Sequence, residues 1–232
     1  ITGGGSPFVE PFDLAVDRDG LLYVLDPAHP ALWLFDAAGN YLRELPAPGQ
    51  VLDRARGLHV DAQGRIWVAH TPGGRVVALD GDGQVVQEIA IWPGEPSQPV
   101  DVAVGVDGTI FVADAGLSKL VRFDSTGRRL LAWEIPVANT LDGPHLAVDT
   151  GGALYVTQPE QAAVEKRQPD GEVAGIWPVL GLRADGVVKP IGVAVDPTGR
   201  VWGVDVAGGN VFVVEPAAAS APSTEGAADD GD

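Results

Sequence analysis

Residues Pro11–Asp26 read PFDLAVDRDGLLYVLD, and the stretch returns as PVDVAVGVDGTIFVAD at Pro99–Asp114 and as PIGVAVDPTGRVWGVD at Pro190–Asp205. Two runs with strand-type alternation flank a four-residue D-x-x-G turn. The first Asp of such a turn accepts backbone N–H bonds, and the closing Gly takes the positive φ that leaves it. The turn glycines Gly20, Gly64, Gly108 and Gly152 lie 44 residues apart, and Gly199 follows after 47. The same spacing carries Tyr23 onto Trp67, Phe111, Tyr155 and Trp202, and Asp26 onto His70, Asp114, Gln158 and Asp205. Self-similarity at roughly 40–50 residues marks stacked or radial repeats, each too small to bury its own apolar face.

A second hairpin follows the first in each copy, turning at Asp36–Gly39, Asp80–Gly83, Asp124–Gly127 and Gln168–Gly171. Each repeat is therefore expected to hold four short antiparallel strands, which is the unit of a β-propeller blade. The fold class is all-β, with five blades at about 11–54, 55–98, 99–143, 144–189 and 190–215. Ala15, Ala103, Ala147 and Ala194 allow a neighbouring sheet to approach, and the aromatic set fills the wedge between blades. Residues 1–10 are expected to hold the end of a preceding strand and a link. The run 216–232, made of Ala, Ser, Pro, Gly and acids, is expected to be disordered. With the last repeat stopping after its third strand, these five blades are expected to belong to a six-bladed ring.

Composition bounds the partners. The chain has 232 residues, an apolar fraction of 45%, no cysteine and a net charge of −17. Its lysines are Lys119, Lys166 and Lys189, so no basic face forms and nucleic acid is excluded as a partner. No apolar run reaches the roughly 20 residues that span a bilayer, so this segment itself makes no membrane contact. There is no G-x-S-x-G, H-E-x-x-H or paired-Cys motif.

The unit P-x-x-h-A-V-D-x-x-G-x-h-[YFW]-V-x-D, followed by a basic residue and then h-D-x-x-G, resembles the NHL repeat. Pro11–Asp26, Pro99–Asp114 and Pro190–Asp205 carry it best, while the fourth copy loses its Asp to Gln158 and Gln168. The resemblance implies a propeller, commonly six-bladed, appended to a larger bacterial protein that is sometimes membrane-anchored. It thus implies an extracytoplasmic setting. Related propeller enzymes hold a channel zinc on histidines, or calcium on carboxylates.

In propellers the blade-to-blade links and the loops after the second strands open on one face. The links place Phe12, Arg56, Val100, His145 and Ile191 near the channel mouth, and Arg56, paired with Asp53 as a surface ion pair or free to bind, breaks the consensus there. His70 and His145 are the other ionisable exceptions. Asp26, Asp114 and Asp205 are binding candidates that turn capping also explains. His59 replaces the inner-strand Ala, and a zinc on His70 and His145 would need a third ligand, which His59 or Asp114 could supply. The reading that results is a non-catalytic binding or scaffold module for a protein, peptide or glycan, without a cofactor. The alternative is a metal-dependent lyase or lactonase with zinc or calcium in the channel.

Overall fold

The D-x-x-G turns close as their chemistry requires. Asp17 Oδ1 accepts the N–H groups of Asp19 and Leu21 at 2.9 and 2.8 Å, and Gly20 leaves the turn at φ +82°. Asp61, Asp149 and Asp196 make the same pair of bonds. In the third copy, where Gly105 replaces the Asp, Asp107 takes over by accepting from Thr109 N at 2.9 Å.

The computed structural model describes residues 8–214 apart from 30, 138, 140 and 180–187. The expected strand remnant at 1–7 and the tail at 216–232 lie outside the described residues. Blade 1 holds β1 (Asp13–Val16), β2 (Leu22–Leu25), β3 (Ala31–Phe35) and β4 (Tyr41–Pro46). Blade 2 holds β5 (Gly57–Val60), β6 (Ile66–His70), β7 (Arg75–Leu79) and β8 (Val85–Ala90). Blade 3 holds β9 (Pro99–Val104), β10 (Ile110–Asp114), β11 (Lys119–Phe123) and β12 (Arg129–Glu134). Blade 4 holds β13 (Leu146–Val148), β14 (Leu154–Gln158), β15 (Ala163–Arg167) and β16 (Val173–Pro178). Blade 5 has three strands among the described residues, β17 (Pro190–Val195), β18 (Val201–Asp205) and β19 (Asn210–Val214). Every sheet is an antiparallel meander in chain order. Among the described residues, only one-turn 3₁₀ helices at Thr71–Gly73 and Pro159–Gln161 interrupt the strands, and no described helix is long and apolar enough to cross a membrane.

The core lies between blades rather than within them, as short repeats demand. Tyr23, Leu25, Leu32 and Leu34 pack on Leu58, Val60 and Val68 of blade 2. Trp67 and Val76 meet Val102 and Ile110 of blade 3, and Phe111 and Leu120 meet Leu146 and Leu154 of blade 4. Tyr155 and Val164 meet Val188 and Val201 of blade 5. The wedge aromatics also bind their own turns. Trp67 Nε1 donates to Asp61 Oδ2 at 2.8 Å, and Trp202 Nε1 donates to Asp196 Oδ2 at 3.0 Å. Trp202 departs from the expected burial, because no described blade covers its face.

Candidate functional site

Two places before Ala15, His59, Ala103, Ala147 and Ala194, the inner edge of each repeat carries Asp13, Gly57, Asp101, His145 and Gly192. Pairing fixes this register, since Leu14 lies opposite Val24 as Leu146 lies opposite Val156. His145 is therefore the counterpart of Asp13 and Asp101. The expected alignment of His145 with Phe12 and Val100 was one residue off; Pro144 holds that place.

Asp13 and Asp101 are built alike. Asp13 Oδ1 accepts Leu14 N at 2.8 Å, and Oδ2 accepts Leu58 N on the next blade at 2.7 Å. Asp101 Oδ1 accepts Val102 N at 2.8 Å, and Oδ2 accepts Leu146 N on the next blade at 2.7 Å. Each carboxylate thus ties its own inner strand to the following one, in an orientation fixed by two backbone donors. Gly57 occupies the same position between them because there is no room for more. A Cβ there would lie 2.5 Å from both Asp101 Cα and Asp101 Oδ1. Gly57→Ala is expected to cost about 1–3 kcal/mol in urea denaturation, the usual range for overpacking against backbone.

His145 brings an imidazole to the pair. Its Nδ1 lies 3.4 Å from Asp101 Oδ2, and its backbone N donates to Thr157 Oγ1 at 2.8 Å. The ligand atoms of Asp13, Asp101 and His145 all fall within 4.8 Å of one another, with Asp101 buried and the other two partly so. Burial alone would push the imidazole down; the hydrogen bond and charge of Asp101, with the charge of Asp13, outweigh it and raise His145 to about 9. Burial and the negative charge of Asp101 push Asp13 up to about 7, against the pull of His145 and two backbone donors. At neutral pH the cluster holds an imidazolium–carboxylate pair beside a carboxyl group that keeps its proton well above the usual carboxylate range.

These residues line a cavity of about 860 Å³ that follows the channel along β1, β5, β13 and β17. The walls are mainly apolar, and the space runs on past Trp202, Val204 and Val211 of blade 5. His59 also lines it, hydrogen-bonded to the backbone of Val104, with its pKa lowered by burial.

The other candidates sit elsewhere. Asp26 accepts from Val9, Glu10 and Ala28, Asp114 from Ser97, Gln98 and Leu117, and Asp205 from Lys189, Ala207 and Gly208. All three are buried and cap the link and turn backbone, as their repeat position suggested. His70 is buried in the same slot of blade 2, close to Gly73 and Arg75, and does not line the cavity. Arg56 does not pair with Asp53, which meets Arg54 instead at 3.7 Å. Its guanidinium lies 4.7 Å from the centre of the Phe12 ring, at the edge of the cavity.

Asp13 and Asp101 were overlooked at the sequence level. The signal was there, since counting two places back from Ala15, Ala103 and Ala147 gives Asp, Asp and His.

The cluster also permits a test of the metals implied by the NHL resemblance. Neither His59 nor His70 joins it, so the three-histidine zinc set does not form among the described residues. Two carboxylates and one imidazole are too few for calcium, which takes 6–8 oxygens. They do match in number and type the three protein ligands of an open zinc site.

The chain matches no family model and no curated protein sequence. Its fold, however, has many solved counterparts. A streptogramin B lyase superposes with a TM-score of 0.67 at 17% identity, covering 93% of this chain and 72% of that one. A catalytically inactive virginiamycin B lyase from Staphylococcus aureus, with a histidine replaced by alanine and solved with quinupristin, gives 0.67 at 16%, covering 91% and 68%. A protein of unknown function from Bacteroides thetaiotaomicron gives 0.67 at 17%, covering 90% and 58%. Identities this low establish the propeller fold alone.

Proposed function

We propose that the protein is a non-catalytic binding propeller that takes a polar segment of a protein, peptide or glycan into its channel. The reading is supported by one observation above all: a rigid cluster of Asp13, Asp101 and His145 on the wall of a mainly apolar cleft of roughly 860 Å³ that runs from the channel to the open flank between blades 1 and 5. Two carboxylates fixed by backbone bonds, with the His145 imidazole set against Asp101, form a pre-organised anchor that loses little entropy on binding. Asp26, Asp114 and Asp205 cap turns on the loop face, and this reading uses the channel-wall cluster instead. The net charge of −17 keeps nucleic acid from the list of partners. A larger bacterial, extracytoplasmic parent is the setting in which such a module fits.

The test is retention on peptide and glycan arrays. Wild-type protein binds a defined subset, and Asp13→Asn weakens that binding about tenfold, the loss of one charge-assisted hydrogen bond. Equal retention by wild type and Asp13→Asn on every spot would refute the channel anchor.

A second reading has a specific observation in its favour. Asp13 near 7 beside a protonated His145 is the pairing that general acid–base catalysis at neutral pH requires. A zinc on the same three residues would supply a Lewis acid and an activated water. Quinupristin incubated with the protein is expected to be recovered unchanged by mass spectrometry, with and without added zinc. Conversion that His145→Ala abolishes would establish the enzymatic reading instead.

A further inference from the structure

The channel-wall cluster carries more negative charge than its own side chains balance. Asp101 has the His145 imidazole, with Nδ1 3.4 Å from its Oδ2. Asp13 has the N–H groups of Leu14 and Leu58, one on each oxygen, and among the described residues no basic side chain pairs with it. A carboxylate offers about four lone-pair sites, so Asp13 keeps two for a donor that enters from the cleft it lines. A partly buried carboxylate without a counter-cation costs stability that an incoming cation restores.

The walls around the cluster define what can carry that cation. The cleft runs past Leu14 and Val16 of β1 and past Ile191, Val193 and Val195 of β17, all aliphatic. Leu14 and Val16 are 60 and 56% exposed, so this wall is open to an occupant. At the edge of the cleft, Arg56 Nη1 is buried and meets no hydrogen-bond acceptor among the described residues, while its guanidinium is held over the Phe12 ring. Buried donors are nearly always paired, and this one lacks an acceptor that a bound segment can bring. The fitting occupant therefore combines a cation, an aliphatic stem and an acceptor.

We propose that the cleft takes a lysine side chain of a protein or peptide, with its ammonium on Asp13, its methylene stem along β1 and β17, and a backbone carbonyl of the same segment on Arg56. The proposal rests on the channel anchor described above and names its ligand. An ammonium beside Asp13 favours the ionised carboxylate and leaves the Asp101–His145 pair intact. Its three donors sit on a compact head at the end of the stem. A guanidinium would bring five donors, most of them against aliphatic walls that accept nothing. A sugar would leave hydroxyls unpaired on the same walls. An acidic segment is repelled by both carboxylates and by the net charge of −17, which draws basic segments toward the protein.

The experiment measures, by fluorescence polarisation, the binding of short blocked peptides of Gly, Ala and Ser that differ at the central residue: lysine, acetyl-lysine, norleucine, arginine or glutamate. The lysine peptide is expected to bind at least about tenfold tighter than the acetyl-lysine and norleucine peptides, with the glutamate peptide weakest. Asp13→Asn should remove most of the advantage of lysine and leave the acetyl-lysine peptide unchanged. Arg56→Gln should weaken both by the same factor, roughly three to ten. The comparison of lysine with acetyl-lysine uses the wild-type protein, so it decides the matter even where Asp13→Asn loosens the fold. Equal binding of those two peptides overturns the proposal, as does a preference for arginine or glutamate, binding of no peptide, or unchanged binding by Arg56→Gln. So does an advantage of lysine that survives in folded Asp13→Asn protein. The channel anchor is judged separately on the arrays. If they still return peptides or glycans that Asp13→Asn releases, the anchor stands and only the lysine is wrong; if Asp13→Asn releases nothing, both fall.

Discussion

Trp67→Ala is expected to destabilise the protein by about 3–5 kcal/mol, the range for truncating a large buried aromatic. In a domain of this size that lowers the melting temperature by roughly 10 °C. Trp67 is wholly buried between blades 2 and 3, against Val102, Val104 and Ile110. Truncation leaves a cavity at an interface that four-stranded blades cannot close by local collapse. It also takes the indole donor from Asp61 Oδ2, leaving that carboxylate oxygen to Arg65 Nε at 2.7 Å. Trp202→Ala provides the matched control, because Asp196 and Arg200 surround it as Asp61 and Arg65 surround Trp67. With no described blade covering Trp202, its truncation should cost less than about 1 kcal/mol. Guanidinium denaturation of the two variants measures the difference. Equal losses would mean that the turn contacts, not packing between blades, carry the energy.

The same comparison shows why the fold was readable from sequence and the site was not. A propeller repeats each decision five times. Gly20 needs positive φ, and so do Gly64, Gly108, Gly152 and Gly199, so a weak local signal becomes strong by recurrence. Burial follows from the same register, which is why the wedge aromatics were identified correctly in four blades. Trp202 broke the pattern because burial depends on a neighbour, and no position within a repeat encodes its neighbour's presence.

Functional residues obey the opposite logic. They stand out where copies disagree, yet disagreement has several sources. His70 and Gln158 stand where Asp26 and Asp114 cap their links, but neither side chain bonds the turn that follows it, and Gln158 donates to Glu165. Asp13 and Asp101 look ordinary, since they share a position and both tie adjacent strands. What makes the place unusual is the alternation of Asp, Gly, Asp, His and Gly around the ring. Gly57 makes room for Asp101, and His145 then meets that carboxylate across a blade boundary. Sequence shows the alternation once the register is right. It does not show that residues 88 and 44 positions apart converge to within 4.8 Å, because the curvature of the blade array brings them there.

That convergence has a measurable consequence in the pH dependence of stability. His145 has an ordinary value of 6.5 when unfolded and about 9 when folded, so between those limits the native state holds a proton that the unfolded chain has released. Stability from this group is complete below 6.5 and is lost as pH rises through 9. Asp13, raised from 3.8 to about 7, works in the same direction over its own window, as its extra native proton is lost toward neutrality. His59 and His70, pushed down by burial, act oppositely, but only below 6.5. From pH 6.5 to 9 the urea midpoint should therefore fall, by an amount on the order of 3 kcal/mol if the full shift of His145 is realised. Asp101→Asn should lower stability at pH 7 by about 3 kcal/mol, since it removes the partner that holds the native-state proton on His145. Without the carboxylate, burial dominates and drives the His145 pKa below its ordinary value, so the fall above 6.5 should flatten. His145→Gln should flatten it as well, because the titrating imidazole is gone. Were Asp101→Asn to keep the wild-type slope between 6.5 and 9, the titrating group would have to be another one, and the Asp101–His145 pair would not be what joins blades 3 and 4 electrostatically.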